Sequence, residues 1–269
     1  MPTAAILKQG KQAERSIMWH FRWLLLWCWL GSAAGANIQA VTEELPPYNY
    51  RDRDGLVTGL SVDLLQRMVD RSKLSLDSKG VQLLPWARAY QMALHQPNTV
   101  IFSIVRLPER EDLFHWVGPI APRTLWFYRL AKREEVTASH LSELAPWRIA
   151  VVRNSAAARE LAEMGLNLVL VHDEDDKFRM MLRRRADIAP ALQMGAAYHI
   201  ESLGHSYSDF VPLFQYQDTK QFYFAFSLET DEAIIKALQG TLDSMRADGT
   251  YDEITQKWER RFWIRPASE

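Results

Sequence analysis

From Asn37 onward, short apolar runs alternate with amphipathic stretches of helix length, and this alternation restricts the fold more than any single motif. Strands interleaved with helices build mainly parallel sheets covered by helices, the α/β arrangement. NIQAVT reads as a first strand. In LSVDLLQRMVDRS the spacing of Leu60, Leu64, Leu65, Met68 and Val69 puts all five on one face of a helix. VQLLP and TVIFSIV read as strands flanking a helix that begins near Trp86, which completes a βαβ lobe. A second set starts near Trp147: WRIAVV as strand, SAAARELAEM as helix, LNLVLV as strand, DDKFRMMLRRR as helix and ADIAPAL as strand. One more aromatic strand, QFYFAFS, and two closing helices between residues 229 and 262 follow. No repeat, low-complexity tract or Pro/Ser-rich linker separates the sets, so extended segments are expected to join the lobes. TLWFYRLA and QFYFAFS are the candidates, and such crossings serve as hinges.

Residues 1–36 follow a different logic. Lys8, Lys11, Arg15 and Arg22 precede the apolar run WLLLWCWL, and the small residues GSAAGA follow before Asn37. Basic, apolar, then small with A-x-A spacing is the layout of a secretory signal peptide, with cleavage expected after Ala36 and the mature chain in the periplasm. The apolar core is far shorter than the roughly 20 residues that span a bilayer. Met18 is an alternative start, because the basic leader before it is long. A lipoprotein does not fit, since Cys28 follows Trp27 where lipid-attachment sites carry a small residue. Cleavage would leave 28 basic against 32 acidic residues, a net charge of −4, and would remove the only cysteine. That balance offers no basic surface for nucleic acid or an anionic membrane, and a chain without cysteine has neither a disulfide framework nor a thiol nucleophile.

Enzyme signatures are missing as well. His95, His115, His140, His172, His199 and His205 show no i, i+4 pair, so no metal is expected. There is no G-x-S-x-G, P-loop or dinucleotide fingerprint, and no cofactor is expected. What remains suits the capture of a small anion. SIVRLPERE delivers Ser103, Arg106 and Arg110 directly after a strand, and a guanidinium makes bidentate, charge-assisted bonds to a carboxylate. Ser155 stands at a helix start, where unpaired N–H groups favour an anion; capping of its own helix is the competing role. Tyr48, Trp86 and Tyr90 are aromatic candidates for sandwiching a ligand, against the ordinary alternative of core packing.

Several stretches resemble the periplasmic solute-binding proteins of polar amino-acid ABC transporters, family 3. MRADGTYDEITQKW (residues 245–258) is the most specific; the others are LPPYNYRDRDGLVTGLSVDLL, SIVRLPERE followed by FHWVGPI, and WRIAVVRNS followed by RRRADIAPAL. The resemblance covers nearly all of the mature chain. It implies a two-lobed periplasmic binding protein fold, with residues 37–127 and 221–269 in the first lobe and 128–220 in the second. It also implies a cleft that closes on a carboxylate-bearing solute and delivery to an ABC permease, through which alone the protein meets the membrane; a monomer is expected, since cleft closure works in a single chain, though the sequence leaves the oligomeric state open. By residue match, Arg110 takes the place of the arginine that clamps the ligand α-carboxylate, Ser103 that of an assisting hydroxyl, and Ser155 that of the helix start from the other lobe.

Two departures qualify this. Family members that bind amino acids usually carry a carboxylate after the strand matching ADIAPAL, where this chain has Gln193 and Met194. A ligand ammonium would then need Glu43, Glu44 or Asp187, because an unpaired buried ammonium is costly. Arg106 stands where many relatives have an apolar or small residue, so it is either a second anion contact or a surface charge. The rival from another class is an enzyme of the same fold: cyclohexadienyl dehydratases resemble these binding proteins, and Glu43 or Glu44 could serve as general acid. A sensory input module is not expected, because no membrane span or signalling domain appears before Glu269.

Overall fold

The alternation of runs becomes two five-stranded sheets. A computed structural model describes residues 37–153, 155–216 and 220–262; the expected signal peptide lies outside the described residues. In chain order the first part is β1 (Asn37–Thr42), the hairpin β2 (Tyr50–Arg51) and β3 (Val57–Thr58), α1 (Leu60–Arg71), β4 (Ser75–Leu83), α2 (Trp86–His95), β5 (Thr99–Val105) and β6 (His115–Pro122). The second part is β7 (Leu125–Leu130), β8 (Ile149–Val152), α3 (Ala156–Glu163), β9 (Leu168–Val171), α4 (Glu174–Leu182), β10 (Ile188–Leu192), α5 (Gln193–Ser202) and β11 (Phe210–Tyr216). The chain closes with β12 (Gln221–Phe226), α6 (Glu232–Ala247) and α7 (Thr250–Phe262).

The two sheets share one topology. The first runs β4-β1-β5-β12-β6 and the second β11-β7-β10-β8-β9. In each, the opening strand lies parallel between the next two, β1 between β4 and β5 and β8 between β9 and β10. The antiparallel fourth strand comes from across the molecule: β12 joins the first sheet after β11, and β7 joins the second after β6. All of β7 pairs within the second sheet and all of β12 within the first. The described ends of the passages therefore precede the strands expected to cross: Arg123–Thr124 lies directly before β7, a few residues before the expected limit at 127, and Lys220 directly before β12. Backbone pairing of Arg123 N–H with Lys220 C=O at 3.1 Å holds the passages side by side.

Period-two side-chain direction explains the layers. Ile149 and Val151 of β8 face Ala158 and Leu161 of α3, while Ala150, between them, faces Phe178 and Met181 of α4. In the first sheet, Val41, Ile101 and Ala225 pack against Ala89 and Ala93 of α2. The five residues predicted to share one face of α1 are all buried. β6, β11 and α5 carry no such clean periodicity and were not anticipated as elements.

α1 starts without a side-chain cap. The N–H groups of Leu60 and Ser61 donate instead to the carbonyls of Pro47 (3.0 Å) and Tyr48 (2.9 Å). That close approach requires Gly59, with φ of 139° and room for no side chain: a Cβ there would lie 2.2 Å from the Tyr48 carbonyl oxygen. Gly59→Ala is expected to lower unfolding free energy by at least about 2 kcal/mol. Urea denaturation followed by tryptophan fluorescence checks this, and an unchanged midpoint would refute it.

Candidate ligand cleft

In open α/β sheets, ligands bind beyond the carboxyl ends of the strands where the chain order reverses. Here the reversals lie at the ends of β1 and β5 in one half and of β8 and β10 in the other. The residues leading off those ends are Glu43, Ser103 to Arg110, Ser155 and Gln193.

A buried polar lattice organises the first of these edges. Asn49 is fully buried; its amide donates to Thr42 Oγ1 at 3.1 Å and to the Glu43 carbonyl at 2.7 Å, and its Oδ1 accepts from Ser103 Oγ. Ser103 also reaches Ser61 Oγ at 2.8 Å, and Thr42 donates to the Phe102 carbonyl at 3.0 Å. Ser103 has φ of 56° and sits where the β5–β12 register shifts, the mark of a β-bulge. Its hydroxyl is thus engaged within the first half rather than extended as a free donor.

Arg110 lies in a 3-10 turn (Pro108–Leu113) that follows β5. Its Nη1 donates to the Val105 carbonyl at 3.2 Å, and its guanidinium carbon stands 5.7 Å from the Trp86 ring and 5.6 Å from the Tyr90 ring. Trp86 and Tyr90 open α2 one turn apart, and Tyr90 meets Phe114 edge-on. The guanidinium is partly covered and flanked by aromatic rings, and among the described residues it has no carboxylate partner. Placed over these rings and without a carboxylate partner among the described residues, it is suited to an anionic ligand group.

Glu43 continues β1 and is largely buried. Burial and the facing Glu174 carboxylate of α4 push its pKa up to about 7 from the ordinary 4.5. No cation among the described residues pairs with it. Glu174 is joined to the buried Lys177 at 2.6 Å, and Lys177 also donates to the Pro190 carbonyl. The Glu174 charge on the second half is therefore felt at Glu43 on the first. Of the other two acids considered for a ligand ammonium, Glu44 is exposed and accepts from the Arg51 N–H at 3.3 Å. Asp187 is clamped by Arg148 at 2.9 Å and Arg133 at 3.1 Å; burial raises its pKa, but those hydrogen bonds outweigh it and hold the carboxyl below its usual range.

The remaining candidates take structural places. Ser155 caps α3, accepting from the Ala158 N–H at 3.0 Å. Tyr48 is buried in the core, its ring 5.0 Å from that of Phe222, and burial raises its pKa. Arg106 binds Glu111 through Nε at 2.8 Å and through Nη2. Sequence reasoning did not single out Asn49, Ser61, Glu174 or Lys177. Glu174 sits in an acidic run that reads as the charged first turn of a helix, and the others carry no local signal.

The halves also touch beside the cleft. Tyr50 and Tyr198 meet edge-on at 5.0 Å, Tyr198 lies 6.1 Å from Phe262, and Gly195 sits against the Pro46 carbonyl.

The model of one family, the bacterial extracellular solute-binding proteins, family 3, matches residues 38–261. No curated protein sequence matches the chain. Among solved structures, a histidine kinase sensor domain with similarity to periplasmic binding proteins superposes with a TM-score of 0.70 at 20% identity, covering 83% of this chain and 96% of that one. A variant of the arginine-binding protein from T. maritima gives 0.67 at 19%, covering 82% and 94%. The second substrate-binding domain of Lactococcus lactis GlnP, in an open conformation, gives 0.63 at 16%, also covering 82% and 94%. These are similarities of fold.

Because Glu43 holds its proton up to about pH 7 when folded and only to its ordinary 4.5 when unfolded, its ionisation opposes folding. Its cost grows as pH rises from the lower value through the upper and is complete above it. Glu43→Gln is expected to match wild-type stability near about pH 4 and to exceed it by up to about 3 kcal/mol near about pH 8. Parallel stability–pH curves for the two proteins would refute the assignment.

Proposed function

The chain belongs to the family 3 bacterial extracellular solute-binding proteins, and from that premise we propose that its cleft captures a small solute bearing a carboxylate, an amino acid or a related compound. The observation that carries this reading is Arg110, ring-flanked and without a carboxylate partner among the described residues, at the reversal point of the first sheet. A ligand carboxylate takes the guanidinium, and the N–H groups at the start of α3 approach from the other half. Contacts present only when the halves are together favour the closed state on binding. A ligand ammonium takes the place between Glu43 and Glu174, where it lowers the Glu43 pKa and relieves the repulsion between the two acids. This would answer the missing carboxylate after β10. The arginine- and glutamine-bound states named for related structures support an amino-acid ligand. In this reading the signal peptide exports the chain, and the closed monomer delivers its solute to an ABC permease.

Titration with L-arginine, L-lysine, L-glutamine, L-glutamate and glutathione, followed by tryptophan fluorescence, tests the proposal, since Trp86 borders Arg110. Arg110→Ala is expected to weaken the tightest ligand about 100-fold, near 3 kcal/mol. No response to any of the five, or an Arg110→Ala protein that binds like wild type, would sink it.

A second reading is favoured by the Glu43 pKa near 7, which suits a general acid of the cyclohexadienyl-dehydratase kind. Turnover of prephenate or arogenate, abolished by Glu43→Gln, would support the enzyme. Absence of turnover would leave binding as the function.

A further inference from the structure

Arg106 is the departure from the family pattern that the cleft does not use. Its fork is bound to both carboxylate oxygens of Glu111, and its guanidinium carbon lies 5.6 Å from the Trp116 ring and 5.8 Å from the Tyr223 ring. The two rings meet edge-on, 5.9 Å apart. Arg106 and Glu111 bracket a short loop, and Arg110 stands inside it.

Besides the contact of Arg110 with the Trp86 and Tyr90 rings, three hydrogen bonds tie that loop. Arg110 N–H donates to the Leu107 carbonyl at 2.9 Å, Arg110 Nη1 reaches the Val105 carbonyl, and Trp116 Nε1 donates to the Glu111 carbonyl at 3.0 Å. Trp116 stands on β6, which runs into the first passage between the halves; Tyr223 stands on β12, which returns from the second. The Tyr223 ring occupies the space left by Gly118, where a Cβ would come within 2.6 Å of it.

We propose that Arg106 is a positioning residue, whose bidentate pair with Glu111, held against the adjoining Trp116 and Tyr223 rings, keeps the turn that presents Arg110 in its binding geometry and anchors that turn to the strands bordering both hinges. This rests on the reading of Arg110 as the carboxylate clamp. Exposed ion pairs usually contribute little, but the flat fork of an arginine gripping both carboxylate oxygens while resting against two rings has one geometry, which a lysine cannot reproduce. The hydrogen bond between the partners raises the pKa of Arg106 and lowers that of Glu111, so both stay charged. Order imposed before the ligand arrives need not be imposed by the ligand, and affinity gains accordingly.

The test compares the full chain with Arg106→Gln, which loses charge and fork, and Arg106→Lys, which loses the fork alone. Three quantities are measured: amide hydrogen exchange across residues 107–113, calorimetric affinity for L-arginine and L-glutamine, and melting temperature. The expected result for Arg106→Gln is exchange at least about tenfold faster in this turn alone and affinity about three- to tenfold weaker, with the melting temperature nearly unchanged. Arg106→Lys is expected to fall close to Arg106→Gln, because geometry rather than charge is lost. Unchanged exchange in the turn overturns the inference. A loss of affinity as deep as that of Arg110→Ala, with turn protection intact, overturns it too and makes Arg106 a ligand contact. If the turn loosens in the Arg106 variants while Arg110→Ala binds normally, the clamp reading has failed and the pair is structural only.

Discussion

The side chain of Asn49 is the junction on which the cleft edge depends. With no exposure to water, its amide must find partners inside the protein, and it finds them on the end of β1, on the Glu43 backbone and on Ser103 of β5. Ser103 passes the connection to Ser61 on α1, whose first N–H groups rest on the carbonyls of Pro47 and Tyr48. One lattice thus fixes where Glu43 leaves β1 and where the chain leaves β5 toward Arg110. Losing one member would strand buried polar atoms, so the geometry of the edge is all-or-none.

The connection between the halves is of a simple kind. The fourth strand of each sheet comes from across the molecule, so the halves share two adjacent passages, joined where Arg123 donates to Lys220. Neither sheet is interrupted by these passages, since all of β7 pairs in one and all of β12 in the other. The Glu174 charge, itself paired with Lys177, adds to burial in raising the Glu43 pKa.

Much of this was legible in the sequence because it is periodic or local. The stripe from Leu60 to Val69 gave a helix face that is buried throughout, and the strand-plus-arginine pattern of SIVRLPERE led to the aromatic-flanked guanidinium. Ser103 was less readable, since a bulge turns its hydroxyl inward and no residue pattern in TVIFSIV announces a bulge. Tyr48 was ambiguous for a related reason: an aromatic after two prolines can face a ligand or the core, and contact with Phe222, 174 positions later, decides for the core.

By itself, then, the sequence determined the α/β class and the family, and it offered Arg110 as a candidate, because each is written in short-range spacing and residue type. The tertiary structure alone decided the partners: Glu174 opposite Glu43, the two arginines that occupy Asp187, and the rings that flank Arg106. Those contacts join residues far apart along the chain, and their strength depends on burial and direction in space.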